Sequence, residues 1–447
     1  MLIRKLALTI VCAVCCFTST GVLKAQTDHG VRGGAPGAGT SIGSLTAGET
    51  DFFNNHGVPQ FTQVEQVTDG LGPRFNLDSC SGCHIHPAVG GSSPPHNNPQ
   101  VVRAPLMAPG NTVPPFLQLN GPIREVRFIR NPDGTRDGGV HDLFTIAGRA
   151  DKPAGCSIQQ PTFSDTDNII FRIPTPVFGA GLIEAISDTT IKNNLASDPG
   201  GRKGALGIHG HVNTNGNDGT VTRFGWKAQN KSLLIFAGEA YNVEMGVTNE
   251  NFQTEREEDP NCAKITTPNS VSGFNVGSTD PADILSFMGF MKFLDQPTPA
   301  CTGAACSPSI QNGRSLFTSV GCALCHTPSL TTGNSSTTAL NNKQANLFSD
   351  VAVHHMGSGL ADGVTQGGAG PDEFRSAPLW GVGQRAFFLH DGRTSDLLEA
   401  IKQHAKECSF FDFFNGCTES EANGVIGAFN ALSTSQKQDI LNFLRSL

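Results

Sequence analysis

The motif Cys-x-x-Cys-His occurs twice, as Cys80-Ser81-Gly82-Cys83-His84 and as Cys322-Ala323-Leu324-Cys325-His326, and nothing else in the 447 residues restricts the fold as tightly. Two thiols at i and i+3 reach the two vinyl groups of one porphyrin as thioethers, and the adjacent histidine then lies under the iron as proximal ligand. A single copy also serves as half of a zinc site or as a redox dithiol, and a structural zinc shared between the motifs is the alternative. Each copy has a phenylalanine five residues before its first cysteine, Phe75 and Phe317. Two such copies behind an export signal imply two covalent haem c groups, with Cys80, Cys83, Cys322 and Cys325 as attachment points and His84 and His326 on iron.

The export signal is expected over residues 1–25. Arg4 and Lys5 form a positive start, an apolar run from Leu6 to Phe17 follows, and Ala25 offers a cleavage point before Gln26. The run is shorter than the ~20 residues of a membrane span, so a membrane-spanning chain is not expected. A lipid anchor on Cys12, Cys15 or Cys16 is the rival use of this segment. Cleavage would remove Arg4, Lys5 and Lys24 and move the formal net charge from −8 to −11. Such a surface argues against nucleic acid and permits a basic redox partner. Export also makes disulfides available. Setting aside the signal and the two motifs, six of the 13 cysteines remain. Cys301 and Cys306 are near neighbours, as are Cys408 and Cys417, which leaves Cys156 and Cys262 to pair by elimination; free buried thiols are the alternative.

The length predicts more than one domain. The 52 glycines and 27 prolines predict a loop-rich chain. Residues 26–45 read as extended, and the Pro- and Ala-rich stretch 296–309 as a linker between halves. A short repeat supports that boundary. Asp283-Ile284-Leu285-Ser286-Phe287 and Asp439-Ile440-Leu441-Asn442-Phe443 each open a segment of helical periodicity near the end of a half. The expected fold is mainly α: an N-terminal haem domain over 26–295, the linker, and a C-terminal cytochrome c-like domain over 310–447. The long insertion in the first half, about 94–280, contains strand-like pieces at 125–130 and 169–173.

The sixth iron ligand decides the chemistry. A filled position makes an electron carrier, and an open or labile one lets iron meet a small oxidant. His96, His209, His211, Met245, His354, His355, Met356, His390 and His404 are the candidates, and spacing does not choose among them.

Several runs resemble one family. In the C-terminal half these are Gly313-Arg314-Ser315-Leu316-Phe317, Gly321 through Pro328, Phe348-Ser349-Asp350, His354-His355-Met356-Gly357, Phe374 through Gly381, and Leu389-His390-Asp391-Gly392-Arg393 followed by Leu398-Glu399-Ala400-Ile401 and His404. The N-terminal half adds Gly70 through Asn76, Gly179 through Ile186, and Arg223-Phe224-Gly225-Trp226-Lys227-Ala228. In this order they resemble the di-haem oxidoreductases once labelled thiol oxidoreductases, relatives of bacterial di-haem cytochrome c peroxidase and of MauG, over nearly the whole mature chain.

The resemblance implies roles. It puts the distal ligand of the second haem at His404, where relatives have methionine or, in MauG, tyrosine; Met356 is the second choice. It makes His354 and His390 hydrogen-bonding residues near that haem. It places Glu244, in Asn242-Val243-Glu244-Met245-Gly246, over the first haem as the acid–base group that peroxide cleavage needs, although the family's proline is Asn242 here. Trp226 would stand between the haems as an electron relay, with a core aromatic as the plain alternative. His96 would be a displaceable ligand of the first haem. The implied activity is periplasmic peroxide reduction at the N-terminal haem, with electrons entering at the C-terminal haem from a small cytochrome or cupredoxin. Alternatives are MauG-like oxidation of an organic or protein substrate and a non-catalytic electron carrier. Relatives form homodimers and bind calcium. The run Asn213-Thr214-Asn215-Gly216-Asn217-Asp218-Gly219 has calcium-loop spacing but one carboxylate, with Phe224 where a closing glutamate would fall, and reads as a turn.

Overall fold

The computed structural model describes residues 26–131, 133–135, 143–254, 259–262, 267–409, 412 and 416–447; the expected signal peptide lies outside them. These residues are mainly helical, with 34% helix and 10% strand. The strands form short two-stranded antiparallel pairs. No helix among the described residues is long and apolar enough to cross a membrane.

The same helical crossing is built twice from unlike sequence. In the C-terminal half, Ser307 caps the helix Pro308–Val320 by accepting from the Ile310 amide, with proline in the first turn. Ser433 and Gln436 form a reciprocal capping box at the start of Thr434–Ser446. These two helices pack together. Gly313 permits the approach, since a Cβ there would fall 1.9 Å from the Asp439 carbonyl oxygen. In the N-terminal half a helical run with a π-turn at its centre, Ala47–Phe52, Phe53–Gly57 and Val58–Thr62, crosses Asp283–Phe293. Gly57 sits at that contact, where a Cβ would lie 3.1 Å from Phe290 Cα.

The short repeat has a structural counterpart, although Asp283 starts its helix and Asp439 lies inside one. Phe287 meets Phe61 edge-on at 6.4 Å, and Phe61 in turn faces His84 at 6.0 Å. Phe443 meets Phe317 edge-on at 5.5 Å, and Phe317 faces His326 at 6.4 Å. The matching phenylalanine spacing before the cysteines does not survive folding. Phe317 is helical, whereas Phe75 lies on the strand Arg74–Phe75 and packs on Phe144. Phe61, 19 positions before Cys80 in the chain, does for the first motif what Phe317 does for the second.

Two hydrophobic clusters dominate. The smaller joins Phe317, Phe348, Phe429 and Phe443 within the C-terminal half. The larger runs from Phe53 to Leu294 but also takes in Leu330, Leu347, Val351 and Trp380. Chain after the 296–309 stretch therefore packs into both. That stretch is itself tied on each side: Thr298 N–H donates to Gly37 O, and Ala300 N–H donates to Ser446 O, both at 2.8 Å. The 26–45 stretch has no helix and is pinned by a buried ion pair, Asp28 with Arg445, at 2.6 Å.

The six cysteines form disulfides in the expected pairs: Cys156–Cys262, Cys301–Cys306 and Cys408–Cys417. The free cysteines among the described residues are the four of the two motifs. The two strand-like pieces of the insertion are each other's partners, Glu125–Phe128 against Ile169–Arg172, with Glu125 opposite Arg172.

Candidate functional site: two cavities joined at Trp226

Each motif opens onto a cavity. The first has about 1000 Å³ of space between atoms and the second about 1400 Å³, each counting the solvent at its open mouth. Clefts lined largely by apolar side chains with a few convergent polar groups are candidate ligand sites.

Both motif histidines are set up identically. His84 Nδ1 is 3.0 Å from Gly91 O and His326 Nδ1 is 3.0 Å from Phe348 O. A carbonyl can only accept, so each Nδ1 carries the proton and each Nε2 keeps its lone pair for a metal. Desolvation pushes both rings down to about 4, with His404 adding to the effect at His326. Both are therefore neutral imidazoles at physiological pH, the state that ligates.

Opposite these floors the cavities differ. In the first, the helix Leu233–Met245 brings in Glu244, and the hairpin strand Glu125–Phe128 brings in Glu125 and Arg127, two residues apart and so on one face. The helix end is held against the motif's approach strand, with Asn76 N–H donating to Glu244 O at 2.8 Å and Gly72 N–H to Met245 O at 2.9 Å. Glu125 and Glu244 share a hydrogen bond. Desolvation raises both carboxyls, and the Glu125 charge adds to it at Glu244, which lies well above the usual carboxylate range. Two hydrogen-bonded carboxyls in such a place hold one proton between them. Arg172, opposite Glu125 in the hairpin, also lines the cavity and is fixed by Asp362 at 2.7 Å and Gln366 at 2.7 Å.

The second cavity is largely apolar, and an imidazole stands where the first has carboxyls. His404 follows the helix Leu397–Lys402 and turns its Nδ1 onto Ala400 O at 2.8 Å. Its ring centroid is 6.5 Å from that of His326. That separation has room for one metal ion bonded to both rings at ~2 Å each. Met356 and His390 line the same cavity. Arg375 and Arg385 complete the wall. Desolvation lowers both to about 10, and Arg375 Nη1 has no hydrogen-bond partner. Buried guanidinium groups of this kind suit an anionic ligand edge.

Trp226 lines both cavities and is held by Nε1–H donation to Ile173 O at 3.0 Å. Its ring lies 6.3 Å from that of His390, which stacks on Phe374 at 4.3 Å. His390 is driven down to about 4 by burial.

Of the other sequence candidates, His354 lines the second cavity and Met245 the first, and the rest lie outside both. His354 has both nitrogens engaged, Nε2 on Asp350 and Nδ1 on Glu421, each at 3.0 Å. Burial alone would lower it, but Asp350 and then Cys325 hold it well above the usual histidine range. It is buried beside Cys325 and paired with two carboxylates. His211 and His355 share Glu373 at 2.7 and 3.0 Å, outside both cavities. His96 and His209 are exposed and line neither, so His96 is not placed to cap the first site. Met245 reaches Cys80 at 4.0 Å, beside the attachment point. The 213–219 run is a turn closed on itself, with Gly219 N–H donating to Asn215 O at 2.8 Å, Asp218 bound to Thr220 at 2.6 Å, and Lys231 paired with Asp218. No group of three or more His, Cys, Asp or Glu among the described residues is arranged to hold a metal ion, so calcium gains no support.

Sequence reasoning missed Glu125, Phe61, Arg172 and the Arg375–Arg385 pair. Glu125 had one usable signal, a charged residue at alternate spacing in a strand-like piece, but its partner lies 119 positions away at Glu244.

The residues present fit haem in both cavities: paired free thiols, a neutral histidine with Nε2 available, and space for a large flat ligand. The fold and the two sites thus define a mainly helical, two-centre redox protein. The model of the family described as "Di-haem oxidoreductase, putative peroxidase" matches residues 131–426, and the chain belongs to that family. The family's description implies two haem groups and oxidoreductase activity. No curated protein matches the sequence. Two solved structures show distant similarity. A MauG-like protein associated with microbial copper homeostasis is 16% identical, over 66% of this chain and 92% of that one, at a TM-score of 0.30. The hydrazine synthase of Kuenenia stuttgartiensis is 16% identical at a TM-score of 0.23, over 37% of this chain, which spans 55% of that one.

Proposed function

We propose that this protein is an exported di-haem c peroxidase with two cytochrome c-like units, over about 26–295 and 310–447, joined by the 296–309 stretch. The first unit reduces hydrogen peroxide and the second relays electrons to it. The supporting observation is the contrast across the cavities: a carboxyl pair, Glu125 and Glu244, faces the first motif, and an imidazole, His404, faces the second.

When bound, the haems would supply redox-active iron able to exchange electrons and, at one site, to react with a small oxidant. The thiols of Cys80, Cys83, Cys322 and Cys325 anchor them. His84 and His326 would hold the iron, each ring oriented by its carbonyl. His404, in preference to Met356, would close the second site and keep substrate out. In the first cavity Glu244 enters as a neutral carboxylic acid hydrogen-bonded to Glu125. The pair takes the proton from one peroxide oxygen and returns it to the oxygen that leaves, the role a carboxyl of raised pKa performs. Arg127 and Arg172 offset the negative charge that develops. Trp226, bordering both cavities, carries electrons from the second site to the first. A small redox protein, cytochrome or cupredoxin, is the expected donor, and the chain's negative charge suits a basic one.

Carbon monoxide titration of the fully reduced, haem-loaded protein is the direct test. One haem should bind and the other should stay low-spin. Two inert low-spin haems would make the protein a carrier and remove the proposed chemistry.

A further inference from the structure

Tyr241 is the sole tyrosine of the chain, and it is 1% exposed. It lies on Leu233–Met245, three residues before Glu244, and its ring lines the first cavity alongside Cys80 and His84. Its hydroxyl sits 3.1 Å from Glu65 Oε1 and 3.1 Å from Asp283 Oδ2. One phenolic proton thus faces two carboxyl groups, Asp283 at the start of one crossing helix and Glu65 three residues past the end of the other run. Burial, then the neighbouring Asp283, pushes Glu65 up to about 7, and burial raises Asp283 and the phenol as well. Glu65, itself 1% exposed, also accepts from Gln60 at 3.3 Å and Gln63 at 3.1 Å, so the acceptor is held in place. Nothing in the proposed peroxidase chemistry uses this cluster.

We propose that Tyr241 is a one-electron redox site serving the first cavity, with Glu65 or Asp283 as the base that receives its proton. The inference rests on haem occupying that cavity. A phenol gives up an electron readily only if its proton leaves with it, because the oxidised phenol is a strong acid that a dry interior cannot stabilise. A carboxylate within hydrogen-bond reach meets that need. Trp226 lacks it: its Nε1–H points at the Ile173 carbonyl, which is no base. Hydrogen peroxide at the first site would break its O–O bond, release one oxygen as water with both of its protons, and leave the site holding the other oxygen and two electrons short; two electrons and two protons then complete the second water. Tyr241 returns one: its O–H bond breaks, the electron goes to the porphyrin iron group, the proton goes to Glu65 or Asp283, and a neutral phenoxyl remains. An electron from the second site and the same proton restore the phenol. Burial shields the phenoxyl from solvent reductants.

The test uses the oxidised, haem-loaded full chain, mixed with hydrogen peroxide without electron donor, frozen within seconds and examined by electron paramagnetic resonance. A tyrosyl signal is expected. Since there is one tyrosine, ring-deuterated tyrosine should collapse its hyperfine structure in the unmodified protein. Tyr241→Phe should abolish the signal, and Glu65→Gln or Asp283→Asn should slow its formation about a hundredfold. A haem spectrum that responds to peroxide with no tyrosyl signal overturns the inference while leaving the peroxidase reading intact. A signal undiminished in both carboxamide variants overturns the proton assignment. If peroxide leaves the haem spectrum unchanged, the peroxidase reading fails. Photogenerated ruthenium(III) tris-bipyridine then supplies the oxidation instead, and absence of the signal under it sinks the inference on its own.

Discussion

The two cavities have the same floor and different roofs. Each floor is a CxxCH histidine whose Nδ1 is tied to a carbonyl at 3.0 Å and whose ring leans on a helix phenylalanine, Phe61 or Phe317. Over the first floor stand Glu125 and Glu244, on a hairpin and a helix end; over the second stands His404, on a loop after a short helix. On the proposed reading, an imidazole 6.5 Å from its counterpart would close the second site, whereas a neutral carboxyl would donate a proton and leave the first open. One attachment unit, used twice, thus acquires two chemical environments from whatever the rest of the chain lays across it.

The largest effect expected on breaking this contrast follows Glu244→Gln. Peroxide turnover should fall about 10²- to 10⁴-fold, while carbon monoxide still binds the first haem and the second haem's spectrum is unchanged. A turnover loss of less than tenfold would remove Glu244 from the chemistry.

The pH profile should show the pair's shared proton. Desolvation raises both carboxyls, and the Glu125 charge raises Glu244 further, so turnover should fall about tenfold per unit as pH rises through the raised pKa and the donor is lost. Glu125→Gln removes the like charge, lets Glu244 ionise sooner and should move that limb to lower pH; a limb that stays put assigns it to another group. The same raised carboxyls retain a proton that the unfolded chain releases above about pH 4.3. Their contribution to stability should therefore decline as pH rises from there through the folded-state value.

His404→Ala should make the second roof resemble the first by opening it. Carbon monoxide stoichiometry in the reduced protein should double, from one to two per chain. Unchanged stoichiometry would transfer the ligand role to Met356.

The smallest effect separates the two phenylalanines. Phe61→Leu should shift the first haem's absorption by loosening His84, whereas Phe75→Leu, equally buried, should cost ~1 kcal/mol of stability in a denaturant melt and leave the spectrum alone. A spectral shift from Phe75→Leu would restore the parallel that the matching spacing suggests.

Much of the local architecture was readable in the sequence. The strand-like pieces at 125–130 and 169–173 are strands, the cysteines pair as arithmetic and proximity indicate, and the Asp-Ile-Leu-x-Phe repeat marks the two crossing helices. The Phe75–Phe317 spacing misled because equal distance along a chain does not fix direction in space: one residue is on a helix and the other on a strand.

What the chain determined by itself is what covalent neighbourhood can encode. Two thiols and a histidine within five consecutive residues reach one porphyrin whatever surrounds them. The roofs are different, because Glu125 must meet Glu244 and His404 must meet His326 across 119 and 78 positions. Which of nine candidate side chains faces an iron, and which carboxyl keeps its proton, depends on helix crossings, hairpin register and the water excluded by packing. Those are properties of the assembled interior, and only the folded chain decides them.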